Sequence, residues 1–251
     1  MSIGKLLKPK YTQGAKVEEI SEGHFRFSIP GGAAGAYRLA QLDDYSQSKR
    51  SQLPWHSPSS LKIKARVSDN DLPGTWGFGF WNDPFTASLG LGGMGRRLPA
   101  LPNTAWFFHA SPPNYLSLRD DLPAQGFLAA VFSSPPIPSL LLAPGLVATP
   151  LLAWRAAARL LRRLARQVIR EDSCLVKTNV AEWHTYRIEV DDRSTRFSLD
   201  ETPIFETAAA PRSRLGMVLW IDNQYAAFNP DGRLSYGRLE NPAAWMEIEI
   251  N

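Results

Sequence analysis

Most of the chain alternates apolar and polar residues with a period of two. Phe25, Phe27 and Ile29 interleave with Arg26 and Ser28, and Leu61, Ile63, Ala65 and Val67 with Lys62, Lys64, Arg66 and Ser68. Tyr186, Ile188 and Val190 alternate with Arg187 and Glu189, and Phe197 and Leu199 follow a polar turn at 191–194. The last segment sets Met246, Ile248 and Ile250 against Glu247, Glu249 and Asn251. Successive side chains of a strand point to opposite faces, so each run predicts a strand with one dry and one wet face. Turn signals at Leu72-Pro73-Gly74, Asn82-Asp83-Pro84 and Pro230-Asp231-Gly232 punctuate the runs. Many short strands so separated predict an all-β antiparallel sandwich or barrel.

Three runs are apolar on both faces: 75–81 (TWGFGFW), 105–110 (AWFFHA) and 215–221 (LGMVLWI). Such a strand is covered on both sides, or one side lines a ligand groove. In TWGFGFW the alternation puts Gly77 and Gly79 on one face and Trp76, Phe78 and Phe80 on the other. Glycine inside a strand marks close approach by a ligand or another backbone. The pattern changes period at about 136–172. After Pro135-Pro136, Leu140-Leu141-Leu142 and prolines 144 and 150, arginines recur at 155, 159, 162, 166 and 170, while Ala157, Leu160/Leu161, Leu164 and Val168 take the opposite face. That is an amphipathic helix inserted into one β-sandwich domain spanning 1–251.

The chain has 251 residues, 44% hydrophobic and 11% aromatic, enough to bury a core. Its net charge of +4 is local: 151–170 holds six arginines and no acid, leaving the remainder about −2. Basic residues clustered with stacking aromatics, expected of a nucleic-acid binder, are not found. The single cysteine, Cys174, excludes an internal disulfide framework and reads as a buried apolar residue. The start, MSIGKLLKPK, lacks a secretory apolar core, and no apolar run is long enough to span a bilayer. A cytoplasmic location, free or membrane-peripheral, is the expectation.

The stretch EWHTYRIEVDDRSTRFSLDETPIFET (182–207) resembles the paired strands of concanavalin A-like lectins and glucanases, particularly family 16 glycoside hydrolases. His184, Tyr186, Phe197 and Asp200 occupy matching places, with Glu201 where glycine is usual, and PGTWGFGFWND (73–83) resembles the family's glycine-tryptophan strand. The resemblance implies a jelly-roll sandwich whose concave sheet forms a cleft. Retaining members need two carboxyls about 5–5.5 Å apart, carried on one strand in a Glu-x-Asp-x-Glu pattern. The strand expected to bear them reads AWFFHA, without a carboxylate. The comparable spacing Glu247-x-Glu249 reads as a solvated outer face.

What remains are polar groups beside rings. Trp76, Trp81, Asn82, Tyr115, Trp220, Asn223, Gln224 and Tyr225 are the candidate ligand contacts, because a ring covers a sugar's C–H face while amides bond its hydroxyls. His109, with Asp222 or Asp83, is the candidate acid–base set. Asp69-Asn70-Asp71 reads as a turn rather than a calcium site, the four histidines lack zinc spacing, and GLGGMG (90–95) opens no helix that would cradle phosphate. No metal and no cofactor is expected. The leading expectation is a glycan- or glycoconjugate-binding protein without family 16 chemistry. The rivals are an enzyme using other acid–base residues in the same cleft, and a membrane-peripheral binder of a lipid or isoprenoid. In the last, Arg155, Arg159, Arg162 and Arg166 face an anionic membrane, or the insertion is a lid with these arginines as its wet face.

Overall fold

A computed structural model describes residues 7–84, 98–142 and 149–250; the 90–95 glycine run lies outside them. The strands in chain order are β1 (Lys8–Tyr11), β2 (Lys16–Ser21), β3 (His24–Ile29), β4 (Leu39–Asp43), β5 (Ser59–Val67), β6 (Thr75–Trp81), β7 (Thr104–Ala110) and β8 (Gly126–Ser133). There follow β9 (Arg170–Leu175), β10 (His184–Val190), β11 (Thr195–Leu199), β12 (Thr202–Thr207), β13 (Gly216–Asp222), β14 (Gln224–Phe228), β15 (Leu234–Arg238) and β16 (Ala244–Ile250). They form two seven-stranded antiparallel sheets, β1-β4-β13-β6-β7-β8-β9 and β12-β11-β10-β5-β16-β3-β2, with β14-β15 as a separate hairpin. The architecture is a jelly-roll β-sandwich with one helical insertion.

The period-two runs supply the inner faces. Phe25, Phe27, Ile63, Val67, Tyr186, Ile188, Met246 and Ile248 of the second sheet meet Trp76, Phe78, Phe80, Phe107, Phe127 and Leu219 of the first. Phe107 is its aromatic hub, edge-on to Phe197 at 5.2 Å and to Tyr186 at 5.0 Å. The wet face of the second sheet is more structured than a solvated strand. Glu247 is buried, held by Arg26 at 2.9 Å and by Arg66 at 2.7 Å, with both guanidiniums over Trp245. This corrects the reading of Glu247 as a solvated carboxylate: two arginines cover it. The β11–β12 turn places Asp200 and Glu201 at φ 48 and 64, a two-residue hairpin of the type that favours glycine.

The insertion is a helix, Arg155–Val168, entered from a 3₁₀ turn at Thr149–Ala153; the chain rejoins the first sheet at Arg170, two residues before the expected end. Its mounting reverses expectation. Arg162 is only 3% exposed, whereas Leu160, Leu161, Leu164 and Val168 are 43–55% exposed. Arg162 donates to the carbonyls of Ser117 and Phe228 at 2.7 and 2.8 Å, pairs with Asp120 at 2.7 Å and lies over the rings of Tyr115 and Phe228. Arg166 shares Asp120 at 3.1 Å. Arg162 is therefore not part of a membrane-facing or wet stripe, because it is buried on the Ser117 and Phe228 carbonyls and the Asp120 carboxylate, while Arg166 remains exposed.

Candidate functional site

The outward face of the first sheet is also largely buried, with rings at its centre and polar side chains among them. On β6 it presents Thr75, Gly77, Gly79 and Trp81; on β7 Thr104, Trp106 and Phe108; on β13 Val218, Trp220 and Asp222; on β4 Leu39, Gln41 and Asp43. The register sets Trp220 and Phe108 on either side of Gly77, and Trp106 beside Gly79. A Cβ on Gly77 would stand 2.9 Å from Trp220 Cη2, and one on Gly79, at φ 151, would stand 2.7 Å from Trp106 Cβ. The bare strip between strands is thus filled by rings from its neighbours. Trp106 lies 5.3 Å from Phe108, 5.6 Å from Trp220 and 6.0 Å from Trp81, giving a continuous aromatic floor.

On the floor lies a cavity of about 960 Å³, bounded by the edge strand β1, the turn after β4, Leu116, Leu118, Leu152, Ile169 and the β14-β15 hairpin. Polar groups cluster at each end, with Gln41 between them opposite Trp220. At one end Trp220 Nε1 donates to Thr75 Oγ1 (2.9 Å), which donates to Asp222 Oδ1 (2.8 Å); the Gln224 amide and the Tyr37 hydroxyl donate to the same carboxyl at 3.2 and 3.4 Å. Burial pushes Asp222 up to about 7, against the lowering effect of these donors. Tyr37 is raised chiefly by its own burial, then by the nearby Asp222. At the other end stand Lys10, Asp43, Asp83, Thr104 and the indole edge of Trp106. Asp43 accepts from Gln41 Nε2, Ser46 Oγ and the amides of Tyr45 and Ser46, so it holds the turn after β4. Thr104 Oγ1 and Trp106 Nε1 are buried without a hydrogen-bond partner.

Six of the expected residues line this cavity: Trp81, Asp83, Trp220, Asp222, Gln224 and Tyr225. The others lie elsewhere. His109 and Trp76 share the inner face, stacked at 5.4 Å, and a His109 ring nitrogen contacts the Leu72 carbonyl at 3.1 Å. Burial lowers the His109 pKa. Neither can meet a ligand in the cavity, because odd spacing from Trp81 and Phe108 turns them to the opposite face. Asn82 binds the Leu101 carbonyl and the Asn103 amide, while Asn223 bridges Arg38, Ala36 and Leu239; both are loop staples. Tyr115 lies under Arg162. Trp106, Phe108, Thr75, Thr104, Gln41 and Tyr37 were not among the expected contacts, although the alternation around Gly77 and Gly79 marks the first two.

The expected acid–base pairing of His109 with Asp222 or Asp83 does not form, because His109 faces the second sheet and both carboxyls line the outward cavity. The two carboxyls are also far apart, Asp222 opposite Thr75 and Asp83 beyond Trp81, the strand between them spanning about 20 Å. Asp43 is four residues from Asp222 along the β4–β13 register, about 13 Å, beyond either glycosidase spacing. Among the described residues no cluster of three His, Cys, Asp or Glu could hold a metal, and no helix is long and apolar enough to cross a membrane.

The fold and cavity define an antiparallel β-sandwich with a ligand-sized chamber on the outward face of one sheet. Among solved structures the chain is similar to the catalytic domain of an endo-1,3-β-glucanase (laminarinase) from Thermotoga petrophila, at 9% identity and TM-score 0.44, covering 95% of this chain and 79% of that one. It is also similar to a legume lectin-like domain from Entamoeba histolytica (8%, TM-score 0.46, 97% and 87%). A GlcNAcα1-4Gal-releasing endo-β-galactosidase from Clostridium perfringens aligns at 9% and TM-score 0.45 over 97% of this chain, which spans 58% of that one. No family model matches the chain, and no curated protein matches it in sequence. Similarity at this level leaves ligand and chemistry to the chain's own residues.

Proposed function

We propose that the chain binds an amphiphilic small molecule in this cavity, a glycoconjugate with an apolar portion being the class that fits. The observation that carries this reading is the aromatic floor of Trp81, Trp106, Phe108 and Trp220 beside a cavity of about 960 Å³ whose lining is mostly apolar. Ligand sites are mostly apolar with a few placed polar groups. An apolar or C–H-rich body rests on the rings, while hydroxyls at one end meet Asp222, Thr75 and Tyr37. At the other end, Lys10, Asp43 and Asp83 line the cavity.

Tryptophan fluorescence tests it: octyl and dodecyl glucosides, below their micelle concentrations, should give a saturable change that Trp106→Ala and Trp220→Ala abolish. A response to glucose oligosaccharides without the alkyl chain would replace this reading with a plain glycan site. Silence toward both would refute it. A second reading, proton transfer at Asp222, is supported by a carboxyl held near 7, where an acid gives and takes protons with equal ease. Asp222→Asn should then stop turnover of a bound substrate while alkyl glucoside binding survives; unchanged turnover would exclude it.

A further inference from the structure

The helix Arg155–Val168 exposes a face that water does not favour. Leu160, Leu161, Leu164 and Val168 lie on the side opposite the buried Arg162, and Leu151 and Trp154, 59% and 69% exposed, extend the apolar surface past its N-terminus. Leu140 and Leu141, in the same insertion, are 74% and 71% exposed. Contiguous apolar surface of this kind marks an interaction site. The charge beside it selects the partner. Arg155, Arg159, Arg163 and Arg170 are exposed and make no ion pair among the described residues, and the helix carries no acid.

We propose that this face docks on an anionic lipid surface, the leucines and Trp154 entering the interface and the free arginines meeting the headgroups. A helix with one apolar and one cationic face lies in such an interface, and basic residues near the surface are drawn to anionic headgroups. A second copy of the chain fits poorly, because a symmetric contact would bring two arginine-rich, acid-free helices together. The docking face also adjoins the cavity: Leu152 before the helix and Ile169 after it line the chamber, as do Leu234 and Tyr236 of β15, both exposed. An amphiphile leaving a bilayer would therefore meet the chamber beside the contact. The helix face stands on its own observations, independent of what the cavity holds.

Flotation of the full chain with vesicles tests this, using phosphatidylcholine alone and equal parts phosphatidylcholine and phosphatidylglycerol, without cavity ligand. Wild type should float with the mixed vesicles and remain below with phosphatidylcholine alone. Leu161→Ser with Leu164→Ser should abolish flotation, and Arg159→Glu with Arg163→Glu should cut it severalfold. All four side chains are exposed, so circular dichroism should stay native. Trp106→Ala should float like wild type, which separates this test from that of the cavity. Failure of wild type to float overturns the proposal, as does flotation indifferent to the serine pair or to the anionic lipid. A dimer in light scattering that the serine pair dissolves, with no flotation, would assign the face to a second copy instead.

Discussion

Asp222 is the group whose titration most directly reports the character of the cavity. The residue is 7% exposed and its carboxyl is held near 7, against about 4 in an unfolded chain. Between pH 4 and 7 the folded chain keeps a proton that the unfolded chain has lost, so unfolding free energy falls as pH rises through that window and levels off above 7. At 1.36 kcal/mol per pH unit, the whole descent is at most about 4 kcal/mol. Asp222→Asn freezes the neutral state: an amide oxygen still accepts from Thr75 Oγ1 and the Gln224 amide, and nothing is left to ionise. The variant's advantage over wild type should grow by about 2–3 kcal/mol between pH 5 and pH 8. Asp44, which burial pushes to about 6 despite its bond to Trp55 Nε1, slopes the same way in both proteins and cancels in the difference. Urea unfolding of the two proteins at pH 5, 6, 7 and 8 measures it. A difference that stays level across the series would refute the claim that Asp222 is buried in an apolar chamber.

Three further outcomes follow from packing. Gly77→Ala places a methyl 2.4 Å from the Phe107 carbonyl and 2.9 Å from Trp220, and should cost about 1–3 kcal/mol in urea unfolding while altering the near-ultraviolet tryptophan signal. Arg162→Met strips the Ser117 and Phe228 carbonyls of their donor and should cost about 3 kcal/mol, with faster hydrogen exchange over 155–168. Leu164→Ser on the opposite side should stay within about 0.5 kcal/mol. Glu201→Gly relieves a left-handed residue whose ion pairs with Lys62 and Arg187 are largely exposed, and should raise stability by about 0.5–1 kcal/mol in the same assay.

How much of this was legible turns on what alternation can encode. A period of two states which residues share a face, and it correctly separated Gly77 and Gly79 from Trp76, Phe78 and Phe80. Applied strictly it also forbids Trp76 and Trp81 from meeting one ligand, and His109 from facing the side that Phe108 faces. Those errors were parity errors, correctable from the residues alone. For a strand dry on both faces, however, parity does not say which face meets the second sheet, and only β10, β5 and β16, with charged outer faces, settle that. The remaining misreadings arise from partners distant in the chain. Asn82 and Asn223 read as sugar-binding amides because the carbonyls of Leu101, Ala36 and Leu239 that they serve belong to separate loops. The helix is the sharpest case. Its amphipathic pattern was visible, yet the rule that the apolar side faces inward failed, because two loop carbonyls 45 and 66 residues from Arg162, with Asp120, were waiting for a cation. A guanidinium can donate where a leucine cannot, and the three bonds Arg162 makes outweigh apolar area in orienting the helix. The leucines left outside then require a partner of their own.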